Sequence, residues 1–237
     1  MKKLLSLTLA VMLSGAAAYG KSHEKDNAPK FGIKLKPHFA RVGTELYIEL
    51  KNSTDSTSTD SLPFYLETKS VFRPSLGLFG EYGLNDIVGL QIALEYAGQG
   101  GGGYEKSGPG AILKLDYLML SAVPRFYPVE NSTLCIFVGL RVSWLAAAKW
   151  QKYLDGKKDG KEVDLLKEDT KEEEEKLKRI DLGMPFGLDY EFDNGLLLGF
   201  DANMGLTKIF KDAEKSFSKT YVSSYGLTVG YNLAKLL

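Results

Sequence analysis

The chain contains few residues whose types and spacing could support catalysis. Its only histidines are His23 and His38. A serine or aspartate beside His38 could form a nucleophile–base pair, but no spacing in the sequence supports such a pair. Cys135 is the only cysteine, so it cannot form an internal disulfide, and we expect it to be a small strand residue. No histidine-rich or cysteine-rich metal pattern is present. We therefore expect no catalytic residues, no cofactor and no metal.

Two other segments could bind a ligand. The glycine run that begins at Gly98 lacks the lysine and the helix that a phosphate-binding loop requires, so we expect a flexible loop over residues 98–110. The acidic run at residues 172–175 could bind a cation or a basic partner, but a solvated surface is more usual for such a run.

The charged residues are informative because of how they alternate with apolar ones. From Arg179 to Phe192, one set of alternate positions holds Arg179, Asp181, Asp189 and Glu191, and the other set is wholly apolar. A strand sends successive side chains to opposite faces, so this segment has one charged and one apolar face. Repeated segments of this kind, separated by turns, are typical of a transmembrane β-barrel.

The same pattern predicts eight strands. They cover about residues 31–42, 71–82, 88–96, 111–127, 133–149, 179–192, 196–209 and 220–233. The connections after the second, fourth and sixth strands are short, and the last of these carries an Asn-Gly hairpin signal. The others are longer, and residues 151–178 form a charged loop. We expect an all-β, eight-stranded antiparallel up-and-down transmembrane β-barrel with short periplasmic turns and longer external loops.

The first residues read as an export signal. Lys2 and Lys3 precede an apolar run and then small residues, which predicts a signal peptide over residues 1–18 and a barrel domain over residues 31–237. The formal net charge is +0, so nothing favours nucleic acid as a partner.

We expect the charged faces to point into the lumen. Buried charges are costly unless paired, so acids and bases should cross-link and plug a barrel of this size, although a wider opening at one end stays compatible with the sequence. The predicted lumen network comprises Lys34, Arg73, Glu95, Lys114, Asp116, Arg141, Arg179, Asp181, Asp189 and Asp201.

Aromatic residues favour the membrane alternative over a soluble barrel with an apolar inside. They fall near the predicted strand ends, where two interfacial girdles are expected. The predicted girdles comprise Phe31, Tyr82, Tyr127, Phe192 and Tyr231 at the periplasmic end, and Tyr96, Trp144, Trp150 and Tyr221 at the external end.

The chain resembles the PorT-like outer-membrane β-barrel domain family. The resemblance spans about residues 31–234 and rests on the order of several short motifs. These include Leu76-Gly77-Leu78-Phe79-Gly80-Glu81-Tyr82, Leu115-Asp116-Tyr117-Leu118, Phe137-Val138-Gly139-Leu140 and Asn203-Met204-Gly205-Leu206. It implies an eight-stranded barrel in the outer membrane of a diderm bacterium, inserted by the barrel-assembly machinery. The chain end departs from the usual assembly signal, because Leu233 replaces a terminal aromatic residue.

These observations leave three functional hypotheses. The first is a non-enzymatic anchor, scaffold or envelope component that contacts outer-membrane lipid and an envelope protein partner through its external loops. The alternative is a small porin that passes ions or small solutes. The third is a barrel enzyme that acts on lipid or peptide, for which His38 would be the residue to change.

Overall fold

A computed structural model describes residues 29–47, 63–64, 69–103, 109–128, 133–154, 157–166, 177–209 and 217–236. The predicted signal peptide lies outside these residues, as do residues 167–176 of the predicted charged loop. The described ranges contain no helix that could span a bilayer.

The described chain is almost entirely strand. The elements are β1 (Lys30–Tyr47), β2 (Pro63–Phe64), β3 (Val71–Gly83), β4 (Val88–Gly103), β5 (Pro109–Phe126), β6 (Leu134–Val138), β7 (Leu140–Leu154), β8 (Lys157–Asp164), β9 (Ile180–Glu191), β10 (Leu196–Gly205), β11 (Phe217–Asn232) and a 3-10 helix (Leu233–Leu236).

The long strands form a ring of antiparallel neighbours. β1 pairs with β3, β3 with β4, and β4 with β5. β6 and β7 act as one strand interrupted at Gly139, and both pair with β5 on one side and β9 on the other. β9 pairs with β10, β10 with β11, and β11 with β1, so the ring of eight strands returns to its start. The predicted all-β, up-and-down fold is confirmed.

The two ends of the ring differ in their connections. At one end, which we call the turn end, Asn85 Oδ1 accepts hydrogen bonds from the backbone N–H groups of Ile87 and Val88. The Asn-Gly hairpin lies at the same end, where Gly195 has a φ of 86°, a value that favours glycine. Both ends of the described chain also lie there. The longer connections lie at the opposite end, which we call the loop end.

Two predicted loops are partly strand. Gly98–Gly103 continue β4 and pair with Ala111–Asp116 of β5, so the prediction of a loop over residues 98–110 is wrong for its first part. The end of β7 and all of β8 form a hairpin, so residues 151–154 and 157–164 are also strand. Glycine and charge lower strand propensity, but pairing with an adjacent strand overrides that preference.

The outer face of the ring carries a belt of exposed apolar side chains. Leu76, Leu140, Trp144 and Leu227 are each at least 60% exposed. A continuous apolar belt of this kind is what a lipid-facing barrel surface requires. The inner face of the turn-end half is predominantly polar, as the alternation of most strands predicts.

At the loop end of β5, the inward and outward faces are the reverse of those predicted. Leu113, Leu115, Tyr117 and Met119 point inward and are buried. The polar positions between them, including Lys114 and Asp116, belong to the outer face, so their predicted place in the lumen is wrong. A period of two separates the two faces of a strand but does not say which one is inside.

Candidate functional site

Paired charges dominate the turn-end half of the lumen, beside two small apolar clusters around Phe79 and Phe137. Lys34 Nζ lies 3.0 Å from Asp189 Oδ2. Lys36 Nζ lies 2.8 Å from Glu95 Oε1 and 3.2 Å from Asp201 Oδ2. We call these ion pairs the charged layer; its members are Lys34, Lys36, Glu81, Glu95, Arg125, Arg141, Asp189 and Asp201. Basic and acidic members are equal in number, so the charged layer has no formal net charge.

Arg125 joins two carboxylates of the charged layer. Its Nη1 donates to Asp189 Oδ2 at 2.8 Å, and its Nε lies 3.1 Å from Glu81 Oε2. Its guanidinium also lies 5.5 Å from the ring centroid of Phe137. The sequence interpretation missed Arg125 because it placed the polar residues of β5 at even positions. The signal was the odd-numbered polar series Ser121 and Arg125, both of which are buried.

Arg141 and Gln91 also contact acidic or basic members of this layer. Glu95 also lies 3.7 Å from Arg141 Nη2, and Gln91 accepts a hydrogen bond from Lys34 Nζ at 3.0 Å. Burial without a partner would cost several kcal/mol for each ion. Each member of the charged layer instead faces an opposite charge on another strand, so the ion pairs tie strands together across the lumen.

The turn end of the lumen is closed by further polar contacts. Lys30 Nζ lies 2.9 Å from Glu191 Oε2, and Asn232 Nδ2 donates to Glu191 Oε1 at 2.8 Å. The Tyr127 hydroxyl donates to Glu81 Oε1. The predicted place of Tyr127 in an outer girdle is therefore wrong. The chain turns immediately after β5, which directs this side chain back over the lumen.

The loop-end half of the lumen is filled by apolar side chains. We call this cluster the apolar layer; it contains Val42, Ala97, Leu113, Leu115, Tyr117, Met119, Leu145, Ala148, Leu177, Ile209 and Val222. Leu115 and Ala148 are 0% exposed. Trp150 packs against the apolar layer, so its predicted place in the outer girdle is wrong. It pairs with inward-facing Leu113, because a bulge beside Asp116 and Tyr117 shifts the β5–β7 register.

Polar groups lie between the two layers and near the wall. Asp181 points inward and accepts a hydrogen bond from the Thr207 hydroxyl. The ring nitrogens of His38 lie 3.0 Å from the carbonyl oxygen of Lys36 and 2.8 Å from that of Gly98. Nε2 also lies 3.2 Å from Gln99 Nε2, so both ring nitrogens have hydrogen-bond partners other than serine.

Three residues of the predicted lumen network lie outside the lumen. Lys114 Nζ donates to Glu162 Oε1 of β8 at 2.7 Å, and this hydrogen bond holds the pKa of Glu162 below its usual range. Asp116 accepts from Arg73, whose side chain lies against Gly98. Arg179 is exposed before β9 begins, so its predicted lumen position is wrong. At the loop end, these charged side chains therefore lie outside the lumen, where water is available.

The other predicted girdle residues lie on the outer face. Tyr96 is 53% and Trp144 is 61% exposed near the loop end, and Tyr221 lies close to the same end on β11. Phe31, Tyr82, Phe192 and Tyr231 lie near the turn end, where the Phe192 ring packs edge-on against Tyr190 at 4.9 Å. These positions are suited to the two interfaces of a bilayer.

The described residues contain no group of His, Cys, Asp or Glu that could hold a metal ion. Their chemistry is that of mutual neutralisation and packing. Acids meet bases in one half, beside two small apolar clusters, and the large apolar cluster occupies the other half together with buried polar side chains such as Gln99 and Gln151.

Comparison with known proteins identifies the family. The sequence model of the outer membrane protein beta-barrel domain family matches residues 41–211. The chain belongs to this family. Its location is therefore the outer membrane, in agreement with the apolar belt. No functionally curated protein matches the chain.

Several solved structures are similar to this outer membrane β-barrel protein. Ail, the attachment invasion locus protein of Yersinia pestis, is 13% identical, with 85% of this chain and 97% of Ail covered and a TM-score of 0.42. Neisserial surface protein A is 17% identical, with 84% and 94% covered and a TM-score of 0.42. OprG from Pseudomonas aeruginosa is 13% identical, with 87% and 97% covered and a TM-score of 0.42. At such values, no property of these proteins is transferred to this chain.

Proposed function

We propose that this protein is a non-enzymatic, non-conducting outer-membrane barrel that serves as an anchor or scaffold in the cell envelope. The observation that carries the proposal is the filling of the lumen by the charged layer and the apolar layer in series. A solute would have to break buried ion pairs and then separate packed apolar side chains. Function then resides on the outer surfaces, chiefly the loop end, and not in a pore.

The placement of His38 supports the non-enzymatic part of the proposal. A general base needs a ring nitrogen free to accept a proton from the nucleophile. Backbone carbonyls lie beside both ring nitrogens of His38, and no serine hydroxyl hydrogen-bonds to it among the described residues. The closer assignment to the PorT-like group within outer-membrane barrels, and insertion by the barrel-assembly machinery, are further parts of this proposal.

Conductance of the purified protein tests the proposal against its porin alternative. The folded state is first verified by a heat-dependent shift in gel mobility, and a general porin is inserted into the same planar bilayers as a control. We expect no reproducible open steps from the folded protein. Regular steps whose ion selectivity changes on Arg141→Gln would establish the porin alternative.

Contact through the loop end is tested by replacing the charged residues 167–176 with a Gly-Ser segment of the same length. The altered protein should fold, because neither the ring pairings nor the apolar layer includes these residues. We expect it to lose its cross-links to a neighbouring envelope protein in intact cells, whereas Asp193→Asn at the turn end should keep them. Unchanged cross-links and unchanged growth after the loop replacement would contradict the scaffold role.

A further inference from the structure

Arg41 is an outward-facing arginine with no acidic partner among the described residues. It lies on β1 two residues beyond Phe39 towards the loop end, and its side chain is exposed. Two other cations towards this end of the barrel have acidic partners. Lys114 bonds to Glu162, and Arg73 bonds to Asp116. Arg41 therefore presents a guanidinium that has no acidic partner among the described side chains, at the loop-end edge of the lipid-facing belt.

The adjacent strand supplies hydroxyl groups beside this guanidinium. Arg41 pairs with Ser223 of β11, and Gly43 pairs with Tyr221. Because these four residues share the outer face, the two hydroxyl-bearing side chains flank the guanidinium. A Cβ at Gly43 would meet nothing within 4 Å, so the described residues leave open space next to Arg41 and Tyr221. We call Arg41, Ser223 and Tyr221, with this open space, the rim notch.

An aromatic surface lies directly below the rim notch. The Phe39 ring centroid is 5.6 Å from that of Phe72 and 5.9 Å from that of Tyr225. All three rings are on the outer face, and Phe72 is 59% exposed. Aromatic side chains of this kind lie at the boundary between acyl chains and headgroups. The rim notch is therefore at headgroup level.

We propose that the rim notch binds the phosphate of an anionic lipid in the leaflet at the loop end. The Arg41 guanidinium donates to the phosphate oxygens, for which its planar fork is well matched. The Ser223 and Tyr221 hydroxyl groups donate to the same anion. The part of the acyl chain next to the headgroup packs on Phe39, Phe72 and Tyr225. Lipid is the favoured occupant because the cationic notch continues without a break into the apolar belt.

Native mass spectrometry of the folded protein in detergent tests the proposal. Phosphatidylglycerol is the anionic probe, and phosphatidylcholine is the probe with a phosphate but no net charge. We expect phosphatidylglycerol to remain bound preferentially, and Arg41→Gln to weaken its retention about tenfold, the effect of losing one charge-assisted contact. Arg41→Lys should keep part of it. Lys235→Gln, which removes an exposed cation at the turn end, should have no effect.

Four outcomes would overturn the proposal. The first is equal retention of phosphatidylglycerol by Arg41→Gln and the original protein, with both verified as folded by gel mobility. The second is equal retention of phosphatidylcholine and phosphatidylglycerol. The third is an equal loss on Lys235→Gln, which would indicate unspecific attraction. The fourth is binding of water-soluble glycerol phosphate as tight as that of the whole lipid, which would make the ligand a free phosphate ester.

Discussion

The two halves of the lumen are filled by opposite chemistry. In the charged layer, side chains reach across the barrel to partners on other strands, and neutrality depends on each member being present. In the apolar layer, side chains make only packing contacts, so the effect of a substitution depends on the buried volume that it removes. The first layer should therefore be sensitive to the loss of one charge, and the second to the loss of buried carbon atoms.

β5 passes through both layers and shows why they differ. It contributes Arg125 to the charged layer and Leu115 to the apolar layer from the same face. Outside, the same strand is apolar from Leu118 to Phe126 and polar at Lys114 and Asp116. Both faces of β5 therefore change polarity at the same point along the strand. The wall is therefore not a uniform apolar-out surface, and its polar upper edge marks where the lipid-facing belt ends.

Loss of the central cation should cause the largest effect. Arg125→Met leaves Glu81 and Asp189 without a shared buried partner, so we expect the free energy of unfolding to fall by about 4 kcal/mol. Equilibrium unfolding in urea, in the presence of lipid vesicles, measures this change. Arg179→Met is the matched control and should change stability by less than about 0.5 kcal/mol, because Arg179 is exposed. Similar losses for both arginines would contradict a paired charged layer.

Loss of volume in the apolar layer should cost slightly less. Leu115→Ala removes a side chain that is 0% exposed, and we expect a loss of about 3 kcal/mol from burial and the cavity left behind. Leu120→Ala on the outer face of the same strand should cost about 1 kcal/mol or less. The same unfolding titration compares the two variants. A larger loss at Leu120 would mean that β5 has the opposite orientation.

Much of the fold follows from the sequence, whereas the sense of each face does not. The alternation, the short turns and the Asn-Gly hairpin predict eight strands in order, because these are local signals. The inward position of Lys34 depends on a choice between two faces that local signals do not make. At Lys114 and Asp116 that choice fails, because apolar side chains fill the upper lumen. Tyr127 and Trp150 fail because a turn and a bulge redirect them.

The packing of Arg73 on Gly98 gives a smaller test at the outer edge. A Cβ at Gly98 would lie 2.5 Å from Arg73 Nε, so Gly98→Ala must shift the Arg73 side chain, and we expect its pairing with Asp116 to weaken. We expect a loss of about 1 kcal/mol in the unfolding titration. Gly43→Ala has open space and should change stability little. Equal effects would show that the contact of Arg73 with Gly98 is unimportant.

The smallest expected effect is at Glu162. Its folded pKa is lowered, so the pair with Lys114 contributes stability above the pKa of the unfolded chain, and this contribution is lost as pH falls through the folded value. A carbon-detected NMR titration of the carboxylate should give a higher midpoint in Lys114→Gln. Lys158→Gln should leave the midpoint unchanged. An unchanged midpoint in Lys114→Gln would contradict the hydrogen bond.

The most direct test of the account is conductance when each layer is opened alone and when both are opened together. Arg125→Met and Leu115→Ala are each inserted into planar bilayers beside the original protein, and then combined, with folding verified by gel mobility. If the two layers block the lumen in series, the original protein and both single variants stay silent, and only the combined variant shows openings. Regular openings from the original protein would contradict the central claim that its lumen is filled.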